Sequence, residues 1–373
     1  MLAIAALLAV IAVPVVGGSD WWNTRLRVAA SPPPNLGLAD LPGTVRARWR
    51  LPGGIGDAAP VVDSTVVVAG AHDIVGRDPI SGQVRWQYQR NNATLCDWVT
   101  VDGAVVAAFR HHGGCGDLVA LDGGTGQRRW YRNAAVGSAV TLTAGPGVVV
   151  AGGRTSLVAY DPESGLERWT YTKAGCAFDS PVAGDLGVAV ILTCRGQAGQ
   201  AGQGPLLALH GLVGKNERWS VPLGGTQPHL LAASERVAVY GTFPSGPAVT
   251  LFDATGRQVG AVTGPDLALR GQDVPTATTF LSTLVTWTGT RVVAVDLIGG
   301  RIRWSGSASG PPAGQTTTVV YPDGAGFVER GPTDGQVLDR VSVGGVPPGP
   351  VSRLARVGRI IVAAGANGMI MYG

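Results

Sequence analysis

This chain has little charge and very little lysine. Only 14% of its 373 residues are charged, the formal net charge is +4, and Lys173 and Lys215 are its only lysines. The remaining basic residues are Arg and form no block along the sequence, so no nucleic-acid-binding surface is encoded. That bias, with abundant Ala, Val and Gly, is that of a GC-rich bacterial genome such as an actinobacterium's. Beyond the N-terminus no stretch sustains helical periodicity between caps, which removes helical solenoids. No cysteine precedes Cys96, so lipoprotein-type lipidation at an N-terminal cysteine is not expected. No CxxC occurs, which argues against zinc. The five His residues are scattered, and no Ser-His-Asp arrangement emerges from them. Residues 196–204, GQAGQAGQG, lack the Lys and the following helix of a phosphate cradle and read as a hairpin loop. What is plentiful is Gly (57), Pro (25) and apolar side chains (45%), the profile of a turn-rich globular chain.

Residues 2–16, LAIAALLAVIAVPVV, are continuously apolar and are followed by Gly17, Gly18, Trp21 and Trp22. At about 1.5 Å per residue the run reaches roughly 25 Å, slightly short of a bilayer core. Residues 1–20 are expected to be an uncleaved membrane anchor, with the two indoles at the interface; a removed signal peptide is the alternative. Arg25 and Arg27 follow the run and no basic residue precedes it. The positive-inside tendency therefore opposes an extracytoplasmic propeller unless a basic stretch lies upstream of Met1. Residues 21–43, with Pro32, Pro33, Pro34 and Pro42, read as an extended spacer.

One phrase recurs along the rest: DPISGQVRW (78–86), DGGTGQRRW (122–130), DPESGLERW (161–169) and DLIGGRIRW (296–304). Aligned on it, Trp86, Trp130, Trp169, Trp219 and Trp304 share one slot, while FDATGRQVG (252–260) and GPTDGQVLD (331–339) place Gly260 and Asp339 there. Periods of this size signal a propeller, a solenoid or an array. Short Val-rich runs bounded by Gly and Asp precede each phrase, as in VVVAGGRTSLVAYD (148–161), and read as strands. Each unit is then three strands, a DxxxG turn and an outer strand ending in Trp. The Asp caps the turn, the Gly takes its positive φ, and the Trp covers the neighbouring unit.

The ends complete one another. RARW (46–49) is an outer strand with nothing before it, and GRIIVAAGANGMIMYG (358–373) is a pair of strands with nothing after. Joined, they make a further unit with Trp49 in the slot, closing the ring and removing its open edges. The expectation is an all-β, eight-bladed β-propeller over residues 44–373, with four-stranded antiparallel blades of about 41 residues each and one N-terminal hydrophobic helix.

LVALDGGTGQRRW and LVAYDPESGLERW resemble the repeat of the pyrroloquinoline-quinone-like family, whose units end in aLDxxtGxxxW. The resemblance implies the propeller and leaves function open, because the family includes quinoprotein dehydrogenases, the scaffold lipoprotein of the outer-membrane assembly machine, and sensor domains. Four cysteines allow three pairings. On the propeller, Cys96 and Cys115 fall within one blade, Cys176 and Cys194 flank a hairpin of another, and a whole blade separates the two pairs. Pairing within each couple is expected, with free thiols as the alternative, and two such bonds imply an oxidising compartment.

Dehydrogenases of the family use a vicinal disulfide or comparable platform, a Trp beneath the quinone, a calcium held by carboxylate and amide, and a catalytic Asp. This sequence has no adjacent cysteines, and its slot Trp residues already serve packing. No catalytic, cofactor-binding or metal residue is assigned, and no cofactor is expected. Asp57, Asp97 and Asp179 each begin an innermost strand, so they are candidates for an acidic channel mouth, or are caps of a repeated turn. His111 and His112 are adjacent on an extended chain and point opposite ways, a poor metal pair. Asn92 with Thr94 matches a glycosylation pattern that carries little meaning in a bacterium. The expected protein is a non-enzymatic, membrane-anchored, extracytoplasmic scaffold or binding module partnered by envelope proteins. A quinone- or small-ligand-binding relative and a sensor domain are the alternatives.

Overall fold

Val-rich runs separated by Gly and Asp turns pair as antiparallel hairpins throughout the computed structural model. It describes residues 20–373 except 38, 53–59, 112, 135, 138, 196–203, 215, 271–273, 316, 346–347 and 366–367. The apolar run 2–16 with its expected helix, Asp57, His112 and nearly all of the 196–204 loop thus lie outside the described residues. Among the described residues no helix is long and apolar enough to cross a membrane.

The strands group into consecutive blades, each running from an innermost to an outermost strand. Blade 1 holds Val61–Val62, Thr65–Ala69, Asp73–Arg77 and Val84–Arg90; blade 2 holds Thr94–Val101, Ala104–His111, Gly114–Asp122 and Arg128–Asn133. Blade 3 holds Thr141–Gly145, Val148–Gly152, Ser156–Tyr160 and Glu167–Thr172. In blade 4 the innermost strand is split into Cys176–Phe178 and Val182–Gly184, followed by Gly187–Cys194, Leu206–His210 and Glu217–Pro222. Blade 5 spans Thr226–Ala233 to Gln258–Thr263, blade 6 Thr276–Phe280 to Arg301–Ser307, and blade 7 Ala313–Gln315 to Val337–Gly344.

Blade 8 joins the two ends of the chain. Arg353–Val357, Ile360–Gly365 and Gly368–Tyr372 are completed by Thr44–Leu51, with Trp49 opposite Met371 and Leu51 opposite Met369. The start of Thr44–Leu51 also pairs in parallel with Val337–Gly344, fusing blades 7 and 8 into one sheet.

Side chains alternate across each strand, so every blade offers two apolar faces and shares a core with both neighbours. Trp86 of blade 1 packs with Trp98 and Phe109 of blade 2, and Trp169 of blade 3 with Val190 and Leu192 of blade 4. The ring closes where Val66 of blade 1 packs with Val362, Met369 and Met371 of blade 8. Each fully buried Val, Ile or Met side chain contributes about 1.5–3 kcal/mol. Closure therefore rests on a core and on a strand ladder together.

Within residues 21–43, read from the sequence as an extended spacer, one stretch joins a blade and another docks on the ring. Thr24–Arg27 pairs antiparallel with Val84–Arg90 and makes blade 1 five-stranded. Its backbone satisfies the outer strand's open edge, which would otherwise be available for aggregation. The chain then crosses the ring. Ala29 N donates to Thr125 O at 2.8 Å, Leu36 N to Ser64 Oγ at 3.1 Å, and Arg356 donates to Ala39 O. Leu41 is buried in the core shared by blades 7 and 8.

Candidate interaction face

The repeated phrase is a joint between blades. In the turn of blade 3, Asp161 Oδ1 accepts from the backbone of Ser164 at 2.9 Å, and Oδ2 from Arg168 at 2.8 Å. The Ser164 N–H, followed by the Arg168 guanidinium, holds the Asp161 carboxyl down at about 2. Trp130 of blade 2 lies on this turn and donates its indole N–H to Pro162 O at 2.9 Å. Trp49 does the same to Pro79 O, Trp86 to Gly123 O, Trp219 to Ala254 O and Trp304 to Pro332 O. In each case the acceptor follows the first residue of the next blade's turn. Gly165, at φ 66°, sits beneath the Trp130 ring, where a Cβ would lie 2.6 Å from it.

Both degenerate slots now have physical explanations. Asp339 belongs to blade 7, whose neighbour has no third-to-fourth-strand turn, because the two chain ends meet there: Arg46 N donates to Gly373 O and Gly373 N to Arg46 O. Gly260 of blade 5 faces the turn of blade 6, where Gly300 has open space in place of an indole. A further member of the motif escaped the sequence reading. The Arg immediately before the slot Trp clamps the turn Asp, as Arg129 does Asp122 at 2.9 Å and Arg303 does Asp296 at 3.1 Å. The repeated RW pair was its signal.

The joint between blades 3 and 4 departs from this pattern. Gly211 occupies the Asp position in HGLVGKNERW, and Trp169 Nε1 has no hydrogen-bond partner among the described residues. The ring stacks instead on His210, 5.6 Å between centroids, as Trp130 stacks on Tyr160 and Trp219 on Phe252. His210 is fully buried, both its ring nitrogens lack a partner among the described residues, and burial pulls its pKa down to about 4. Tyr171 also lies on it at 4.0 Å and donates to Glu217 at 2.5 Å.

The two faces of the ring differ. One carries the DxxxG turns and the first-to-second-strand hairpins, and residues 29–39 cross it. The other carries the starts of the innermost strands, the ends of the outermost ones and the second-to-third-strand hairpins. Both disulfides lie at this second face: Cys96–Cys115 and Cys176–Cys194, the latter linking directly opposed residues of two paired strands. A chain-entropy treatment puts each closure at about 3 kcal/mol.

Several cavities open on the same face. One of about 600 Å³ is lined by Arg154, Phe178, Asp179, Thr193 and His229. A more apolar groove of about 470 Å³ lies between Pro52, Pro348, Pro350 and the Gly365–Gly368 hairpin. A third, about 300 Å³, opens between the innermost strands of blades 6, 7 and 8 beside Thr276, Thr278 and Arg353.

The candidate mouth residues separate. Asp97 is a clamp: its Oδ2 accepts from Leu142 N of blade 3 at 2.7 Å and its Oδ1 from Trp98 N at 2.8 Å. Asp179 is exposed on the wall of the 600 Å³ cavity, with its Oδ1 accepting from Ser180 N. His111 joins a buried polar cluster instead of a metal site. Asp117 accepts from Arg90 at 2.9 Å and from Asn133 at 2.8 Å, with His111 Nδ1 3.5 Å away.

This architecture defines the class: an all-β propeller of repeated Trp-docked blades, closed by its own N-terminal strand. Residues 114–260 match the family model described as outer membrane protein assembly factor BamB. No curated protein matches the chain. The crystal structure of BamB from Moraxella catarrhalis is similar over 87% of this chain and 97% of that one, at 18% identity and a TM-score of 0.52. The computationally designed Ika8 protein is similar at 17% identity and 0.58, over 88% and 98%. Quinohemoprotein alcohol dehydrogenase ADHIIG from Pseudomonas putida HK5 is similar at 12% identity and 0.51, over 91% and 76%. At these identities the likenesses show the fold alone.

The quinone and calcium of the dehydrogenase branch do not fit the residues present. The cysteines are bonded across 19 and 18 residues instead of vicinally. Slot indoles lie on neighbouring turns, and no three His, Cys, Asp or Glu side chains converge among the described residues.

Proposed function

We propose that this protein is a non-enzymatic, extracytoplasmic propeller, anchored to the membrane by its N-terminal apolar run, that serves as a scaffold or protein-binding module of the bacterial cell envelope. The observation that carries the reading is the fate of the repeated residues: slot Trp, turn Asp and preceding Arg are consumed in blade-to-blade docking, as with Trp130, Asp161 and Arg168. Such a ring offers rigid, wide faces, and among the described residues no reactive set is assembled. The two disulfides support an oxidising compartment, and residues 2–16 supply the apolar length for an anchor.

Purification from cross-linked membranes tests it. The expected result is an envelope protein recovered in fixed ratio with the propeller, with neither quinone absorbance nor bound calcium. A second reading, small-ligand binding, is favoured by the 600 Å³ cavity with Arg154, Asp179 and His229 on its wall. Stoichiometric calcium or a quinone chromophore in the purified protein would select that reading instead.

A further inference from the structure

The chain enters the propeller at one defined point. Thr24 pairs with Arg90, the last residue of blade 1's outermost strand, and Asn91 N donates to Asn23 O at 2.8 Å. This is the rim of the cavity-bearing face. The Asp20–Asn23 turn of helix sits there, and its Trp22 is 62% exposed. Only Gly17, Gly18 and Ser19 separate it from the apolar run 2–16. Three residues reach about 10 Å when fully extended. With the run in a bilayer, this rim cannot stand farther than that from the headgroups.

Charge favours laying the whole face down instead of standing the ring on its rim. By strand order this face presents Arg50, Arg110, Arg154, Arg195 and Arg270, all exposed. Against them stand, among the described residues, two exposed aspartates, Asp179 and Asp323, and Asp323 is already 3.4 Å from Arg340. Arginines at a surface are drawn to anionic lipid within about a Debye length, and an indole next to the membrane entry favours the interface.

We infer that the short leash and the exposed arginines hold the cavity-bearing face against anionic lipid headgroups, with the DxxxG-turn face directed away from the membrane. This rests on the anchor proposed above. Ile298 and Leu281, 64% and 83% exposed on the turn face, are then left free for a partner.

All four native cysteines are disulfide-bonded, so single introduced thiols can carry a fluorophore. Ala71→Cys marks the hairpin of blade 1 beside the leash, Ser245→Cys the same hairpin of blade 5 across the ring, and Ile298→Cys the opposite face. The full chain is reconstituted in phosphatidylglycerol/phosphatidylcholine vesicles containing a nitroxide-headgroup lipid and washed at alkaline pH. The expected result is retention through the wash, with loss of emission at Ala71→Cys and Ser245→Cys but not at Ile298→Cys. The Ser245→Cys quenching should also weaken in pure phosphatidylcholine and in high salt. Quenching at Ala71→Cys alone, or at no position while the protein stays bound, overturns the orientation and leaves the anchor standing. Quenching at Ser245→Cys unchanged by lipid charge and salt overturns the arginine contact. Release by the wash overturns the anchor and the orientation with it.

Discussion

Gly165 and Gly300 occupy the same position of the same turn at nearly the same backbone angle, φ 66° and 63°, but only Gly165 lies under an indole. Replacing Gly300 by Ala should cost only the left-handed conformation, about 1–2 kcal/mol. Replacing Gly165 by Ala adds a Cβ 2.6 Å from Trp130, an overpacking term of about 1–3 kcal/mol. The total is then about 2–5 kcal/mol. The excess must vanish when the indole is absent. In a Trp130→Ala background, itself destabilised by about 3–5 kcal/mol, Gly165→Ala should fall back to the Gly300→Ala cost. Urea midpoints at constant m for the four proteins of this cycle give the coupling directly. Equal costs at Gly165 and Gly300, or a Gly165→Ala penalty indifferent to Trp130→Ala, would refute indole docking as the joint between blades.

Two other perturbations follow from buried groups. Asp117→Ala leaves Arg90, 1% exposed, without its carboxylate, and should lower unfolding stability by about 3–5 kcal/mol, whereas an apolar replacement of both partners should recover most of it; denaturation midpoints distinguish the outcomes. His210 has an ordinary pKa of 6.5 and a folded value near 4. Between those values the unfolded chain binds a proton that the folded chain refuses, so this contribution is fully present above pH 6.5 and is lost as pH falls towards 4. The loss is on the order of 3 kcal/mol, and His210→Phe, which keeps the stack, should flatten stability against pH across that window.

The blades were legible because their glue is local: Asp, Gly and Trp keep fixed offsets within nine residues, and each offset encodes one turn and one dock. Closure was legible for the same reason, since an outer strand without inner strands and inner strands without an outer one are each incomplete. The exceptions could not be read from the motif alone. That Asp339 lacks Trp follows from a chain break in the next blade, and Gly260 matters only through the empty space over Gly300, 40 residues later. The Thr24–Arg27 strand gave no local signal because an exposed edge strand imposes no apolar alternation. The partner of Asp97, the Leu142 amide, lies 45 residues away, beyond what a single repeat phrase encodes. The Arg90–Asp117 pair, 27 residues apart, has no local pattern at all. Cavities form where several blades meet, and no single repeat contains one.

The account stands on a ring whose last blade takes its outer strand from the beginning of the chain. Arg50 and Ile370 face each other across that seam, and cross-strand partners with Cα atoms about 4.5–5.5 Å apart lie within disulfide reach. The Arg50→Cys, Ile370→Cys double variant should close a new intramolecular bond under mild oxidation, seen by non-reducing peptide mapping as a link between the two ends. Two thiols that stay free, or that pair only between molecules, would contradict the closed ring.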